Sequence, residues 1–144
     1  MAMAMKLLLV SGHRRFDKYK SLLRRLARGL AKELRQENSY CEVYLVGKEF
    51  MNKNVLAFPA PKNFPYPNTN LKPLGEIYLN PDFIAKEPFS YLEIRNSKLE
   101  IQAKLAYMFI HGFLHLLGYD HKKESDRIRM EKREQQLSAK LFSD

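Results

Sequence analysis

The segment His111–His121 reads HGFLHLLGYDH and holds three of the four histidines in this 144-residue chain. His111 and His115 stand four residues apart, directly after the apolar run Leu105–Ile110. Apolar periodicity predicts a helix from Ser97 to about Leu117, apolar nearly all round in its second half and therefore central and buried. One helical turn puts both imidazoles on the same face, at a spacing that chelates one cation. Gly118 can then end the helix in the left-handed conformation that side-chain-bearing residues resist, and His121 can swing back as a third ligand. Three neutral imidazoles with no fourth protein ligand are the arrangement of a catalytic zinc site, with one position left open. Zinc suits such a set best, although nickel and copper bind imidazole at least as tightly. Three histidines buried here without a metal would leave several ring nitrogens in need of partners.

As a spacing, the segment is H-x3-H-x2-G-x2-H. It matches the zinc-peptidase signature H-E-x-x-H-x-x-G-x-x-H everywhere except the second place. There the peptidase needs a glutamate to polarise water for attack on a peptide carbonyl, and Gly112 has no side chain to do it. A peptidase is therefore disfavoured.

Working outward, Lys122 to about Phe142 reads as a charged amphipathic helix. Upstream, LGEIYLN (Leu74–Asn80), VLAFP (Val55–Pro59), CEVYLV (Cys41–Val46) and KLLLVS (Lys6–Ser11) read as strands, with a helical turn over Pro81–Ala85. The segment from Pro59 to Pro73 holds five of the seven prolines and no periodicity, so it is a loop, and its Phe64 and Tyr66 are free to pack or to stack on bases. Strands and helices in mixed order predict an α+β fold: one domain spanning residues 1–144, with a mixed sheet of about four strands packed against helices.

Between Phe16 and Leu34, apolar residues recur at three- and four-residue steps, the mark of an amphipathic helix. Its other face carries Arg14, Arg15, Lys18, Lys20, Arg24, Arg25, Arg28, Lys32 and Arg35 against few acids. Across the chain 25 Lys+Arg oppose 16 Asp+Glu, a net charge of +9, which suits either a polyanionic partner or simple solvation. Cys41 is the single cysteine, so an internal disulfide and a cysteine-rich zinc site are excluded. No segment has the length of a membrane span, and Met1–Ser11 lacks the features of a signal peptide, so a cytoplasmic location is expected.

At this level of detail a resemblance becomes specific. HGFLHLLGYDH is similar to the signature H-G-x-L-H-L-x-G-Y-D-H of the YbeY family, bacterial metal-dependent endoribonucleases. NVLAFP (Asn54–Pro59) resembles that family's N/D-V-L-S-F-P strand, with Ala57 in place of serine, and LGEI (Leu74–Ile77) resembles its L-G-D-I strand, with Glu76 for aspartate. The likeness covers roughly residues 40–142. It implies a zinc-bearing central helix, action on single-stranded RNA and the small ribosomal subunit, 3′-end maturation of small-subunit ribosomal RNA, and ribosome quality control. One departure stands out. The family carries an arginine before the N-V-L strand, thought to face substrate phosphates. Ungapped counting puts Gly47 there, and the helix preceding that segment is missing. Lys48 or Lys53 would then supply positive charge, without the bidentate fork of arginine.

The chemistry expected is metal-assisted cleavage of a phosphodiester, with water or the substrate's 2′-hydroxyl as nucleophile. Glu76 and Asp120 are the expected proton-handling groups, although Asp120 beside His121 also suits a contact that steadies a ligand or caps the last helix. Arg95 and the basic first helix are placed on the substrate side, Tyr119 reads as packing, and His13 reads as a surface histidine. Two other functions fit the same residues: an RNA- or ribosome-binding assembly factor with a structural metal, and a hydrolase of a smaller phosphoester or amide.

Overall fold

The computed structural model describes residues 5–61, 71–87 and 97–142. Arg95, Phe64 and Tyr66 lie outside the described residues. Strands β1 (Lys6–Ser11), β2 (Ser39–Leu45), β3 (Val55–Pro59) and β4 (Lys72–Leu79) form one sheet in the order β1-β2-β4-β3. β1, β2 and β4 run parallel, and β3 pairs antiparallel with β4 at the sheet edge. The helices are α1 (Lys20–Glu33), α2 (Pro81–Lys86), α3 (Ser97–Leu116) and α4 (Glu124–Leu141). The expected mixed α+β architecture of four strands is therefore present.

Alternation builds the sheet's inner face. Leu9 of β1, Cys41, Val43 and Leu45 of β2, and Leu74, Ile77 and Leu79 of β4 are all buried, and they share one core with α1, α3 and α4. Each such aliphatic side chain, fully withdrawn from water, contributes roughly 1.5–3 kcal/mol. Burial, then the charge of Glu42, pushes the Cys41 thiol up to about 12, which disfavours the reactive thiolate. The opposite face is polar, aromatic and part-exposed: Glu42 and Tyr44 of β2, Glu76 and Tyr78 of β4, with Leu8, Val10 and Phe58 well exposed.

β4 is not regular. Tyr40 pairs with Pro73 and Cys41 with Gly75, so Leu74 is an extra residue in the ladder. Gly75 takes φ +134°, and a Cβ there would lie 2.2 Å from the Phe58 carbonyl oxygen. Only glycine permits both the conformation and the approach of β3. As a result Leu74 and Ile77, three apart, both face the core.

The long helix expected from Phe16 begins instead as a 3-10 segment, Arg14–Tyr19. His13 caps it, its Nδ1 accepting from the Arg15 N–H at 3.1 Å. α1 then buries Leu22, Leu23, Leu26 and Leu30, as its periodicity requires. α3 is buried all round from Leu105 to Ile110. It lies close against the sheet because Gly112 has no side chain; a Cβ would lie 3.0 Å from Ile77 Cγ2 and 3.3 Å from Val55 Cγ2.

Candidate metal centre

α3 delivers His111 and His115 one turn apart, and their Nε2 atoms lie 3.1 Å from each other. The helix then stops as expected. Gly118 adopts φ +100°, its N–H bonds the His115 carbonyl at 3.1 Å, and the Tyr119 N–H reaches back to the Leu114 carbonyl at 3.1 Å. The added Cβ would meet nothing within 4 Å at Gly118, so backbone conformation rather than space selects glycine. The turn returns His121 to the pair, its ring centroid 5.1 Å from that of His115 and 6.0 Å from that of His111. One ligand atom from each of the three histidines lies within 4.8 Å of the others. Tyr119 packs against the core, as expected.

The outer ring nitrogen of His111 is held as well. His111 Nδ1 lies 2.5 Å from Glu134 Oε1, and the other oxygen of Glu134 accepts from the Tyr107 hydroxyl. Glu134 is only 3% exposed and comes from α4. With the outer nitrogen of His111 held by Glu134, its Nε2 faces that of His115 across 3.1 Å. Two imidazole nitrogens meeting at that distance suit a shared cation. Tetrahedral zinc with bonds of about 2.0–2.1 Å sets its ligand nitrogens about 3.3 Å apart, close to the spacing found. The donor set therefore fits a divalent transition metal. Burial, then the neighbouring His111 and His121, lower the pKa of His115 and keep its ring in the neutral form a metal requires.

The histidines open onto a cleft of about 680 Å³, walled by α4 on one side and by residues 53–57, leading into and along edge strand β3, on the other. Lys53 lines it. Asn80 places that segment: its Nδ2 donates to the Met51 carbonyl at 2.9 Å and its N–H to the Asn54 carbonyl at 3.0 Å. Lys48 does not line the cleft; it lies in the turn where the Phe50 and Met51 N–H groups both reach the Gly47 carbonyl. Arg127 of α4 also lines the cleft, bonded to Glu131 at 3.0 Å, and sequence reading did not single it out.

The two expected proton-handling acids are not brought together. Glu76 lies on the other face of the sheet from Ile77, accepts from the Tyr78 hydroxyl at 2.9 Å, and lines a separate groove beside Phe58 and Glu42. The β-bulge is the reason: strict alternation from Leu74 would aim Glu76 at α3, and the extra residue turns it away. Asp120 stays beside His121 but bonds the Lys122 N–H at 3.3 Å, shaping the turn. The acid that does touch a histidine, Glu134, was missed. Its signal was present: Met130, Glu134, Leu137 and Leu141 form one helical stripe, and a carboxyl group on an apolar stripe demands a buried partner.

Fold and site together define a small α+β protein built on a helix-borne cluster of three histidines beside an edge strand. Residues 17–142 match the family described as Endoribonuclease YbeY, and the chain belongs to that family. It is 41% identical over 93 residues to an endoribonuclease YbeY of Pelagibacter ubique, covering 62% of this chain and 56% of that protein. A Wolbachia relative of the same name is 39% identical over 88 residues, covering 61% and 51%. One from Neorickettsia sennetsu is 31% identical over 132 residues, covering 86% and 88%. The matched segment thus spans about half the length of the first two relatives and most of the third.

Proposed function

We propose that this chain is a metal-dependent endoribonuclease that cuts single-stranded RNA, acting in the cytoplasm on small-subunit ribosomal RNA near its 3′ end and in ribosome quality control. The observation that carries the metal chemistry is the meeting of the His111 and His115 Nε2 atoms, 3.1 Å apart in an open cleft, with His121 beside them. The RNA reading rests on the family to which the chain belongs.

His111, His115 and His121 would hold the ion, with zinc the best fit to three imidazoles. When bound, such an ion supplies Lewis-acid charge that polarises a phosphoryl oxygen and eases proton loss from water. Glu134 keeps the His111 proton on Nδ1, so Nε2 faces the cleft as a lone pair. Lys53 and Arg127, the latter shared with Glu131, bring cationic groups to opposite walls, where phosphates of a bound strand would pass. As a sheet edge, β3 offers backbone groups to the same strand. Asp120 steadies the turn that presents His121 and stands outside the proton-transfer step.

Among the described residues, no helix is long and apolar enough to cross a membrane. The turn at Gly47, where the family places an arginine, favours a second reading: an RNA- or ribosome-binding assembly factor with a structural metal. Incubating metal-loaded protein with single-stranded RNA beside a His115→Ala variant separates the two. Cleavage abolished by the substitution supports the nuclease. Cleavage by the variant at the wild-type rate overturns it, and RNA binding without cleavage by either protein supports the assembly factor.

A further inference from the structure

The basic surface of α1 lies outside the cleft, and nothing in the proposed reaction uses it. Between residues 14 and 35 the chain carries nine cations and two acids. Both acids are already paired: Asp17 with Lys20 at 3.5 Å and Glu33 with Lys140 at 2.8 Å. Arg24, Arg25, Arg28, Lys32 and Arg35 are all exposed, and among the described residues none of them forms an ion pair. Arg25, Arg28 and Lys32 follow at steps of three and four, so they form one row along the helix surface, about 6 Å between successive turns.

The row does not stop at α1. Gly29 lets the Leu141 side chain of α4 come close, and Lys140 of α4 bonds Glu33 across the same seam. The Glu33 carboxyl is held below its usual range, first by the Lys140 hydrogen bond and then by the charges of Lys140, Arg133 and Lys32. Cations of two helices therefore converge on one acid, and the surplus faces solvent. α4 meanwhile turns Arg127, Glu131 and Glu134 toward the cleft, so the basic seam and the cleft flank the same helix.

Stable seating on an anionic membrane takes an inserted apolar face beside the charge, whereas the apolar face of α1 is buried in the core (Leu23, Leu26 and Leu30 are 0% exposed). The complementary partner is a flexible polyanion read by charge alone. We infer that Arg25, Arg28 and Lys32, continued by Arg133 and Lys140, form a second nucleic-acid contact that binds the backbone of a single strand leaving the cleft. The inference rests on the endoribonuclease reading for its ligand, and it predicts a dependence on strand length that the cleft alone does not produce.

The test is the triple variant Arg25→Gln, Arg28→Gln, Lys32→Gln. All three side chains are exposed, so its thermal midpoint should match wild type. Binding of a long single-stranded RNA is read on the His115→Ala background, which keeps the strand intact. Losing three phosphate contacts should weaken affinity about tenfold at low salt and make the log–log salt slope shallower by about two. Cleavage of an oligonucleotide confined to the cleft should keep its kcat and KM, while KM for the long strand rises. An unchanged salt slope and affinity would overturn the inference. So would wild-type binding to phosphatidylglycerol vesicles that the triple variant loses while its RNA affinity stays the same. If wild type cleaves RNA but the slope is unchanged, the second contact fails and the nuclease stands. If the slope falls while wild type cleaves nothing, the contact stands and the nuclease fails.

Discussion

Ile77 and Glu76 are neighbours in β4, yet they belong to different environments. Ile77 packs under Gly112, directly beneath the histidine-bearing turn of α3. Glu76 faces outward with Glu42, where the Tyr44 and Tyr78 rings stack with centroids 4.9 Å apart and each hydroxyl donates to the acid two residues before it. One face of the sheet is a dry platform that fixes the metal centre. The other is a polar, aromatic surface with no route to it. A titratable group one residue from the core is thus no nearer the chemistry than one on a distant helix, because the sheet itself separates them. Glu134 is remote in sequence from β4 and still the acid that reaches a ligand.

The largest way to test this contrast is on the histidine side. His115→Ala removes a ligand, so zinc affinity measured by competition with a chromophoric chelator should fall by more than the roughly 10–100-fold seen when only an outer partner is lost. Next is the bulge that keeps the two faces apart. Gly75→Ala would force φ +134° on a residue with a Cβ and drive that Cβ into the Phe58 carbonyl. We expect a loss of more than ~2 kcal/mol, seen as a thermal midpoint lower by ~5 °C or more. A midpoint equal to wild type would show that the strand repairs its register cheaply.

Glu134→Gln should follow. An amide cannot accept from both His111 Nδ1 and the Tyr107 hydroxyl as the carboxyl group does. Metal affinity should drop about 10–100-fold, with about 1–3 kcal/mol of stability lost through the unmatched buried donor. Unchanged affinity would mean that the contact is structural only. The smallest effect belongs to the outer face. Glu76→Gln should leave metal affinity within a factor of about two of wild type, since no contact links it to the histidines. Tyr78 should respond instead. Its pKa is raised by burial, by the hydrogen bond to Glu76 and by that group's charge, so removing the charge should bring phenol ionisation to lower pH in an ultraviolet titration. Loss of metal affinity in this variant would break the separation of the two faces.

Much of the site was legible because helix geometry is local. The spacing of His111 and His115, the glycine stop at Gly118 and the return of His121 depend on dihedral preferences within one segment, and all three appear as expected. The strands over Lys6–Ser11 and Val55–Pro59 were legible for the same reason. Glu76 was not, because strand alternation predicts faces only while the register is regular. Gly75 announces freedom to bulge without saying that a bulge occurs. The Gly47 turn and the placing of Lys53 rather than Lys48 depend on Asn80, some thirty residues downstream of Lys48, which ties the loop down.

By itself the sequence determined an α+β chain with three imidazoles gathered at the end of a buried helix, since apolar period and ligand spacing are properties of one backbone segment. Tertiary structure alone decided which acid meets them. That choice rests on the docking of α4 against α3, which brings Glu134 to His111, and on a single extra residue in β4, which turns Glu76 to the other side of the sheet.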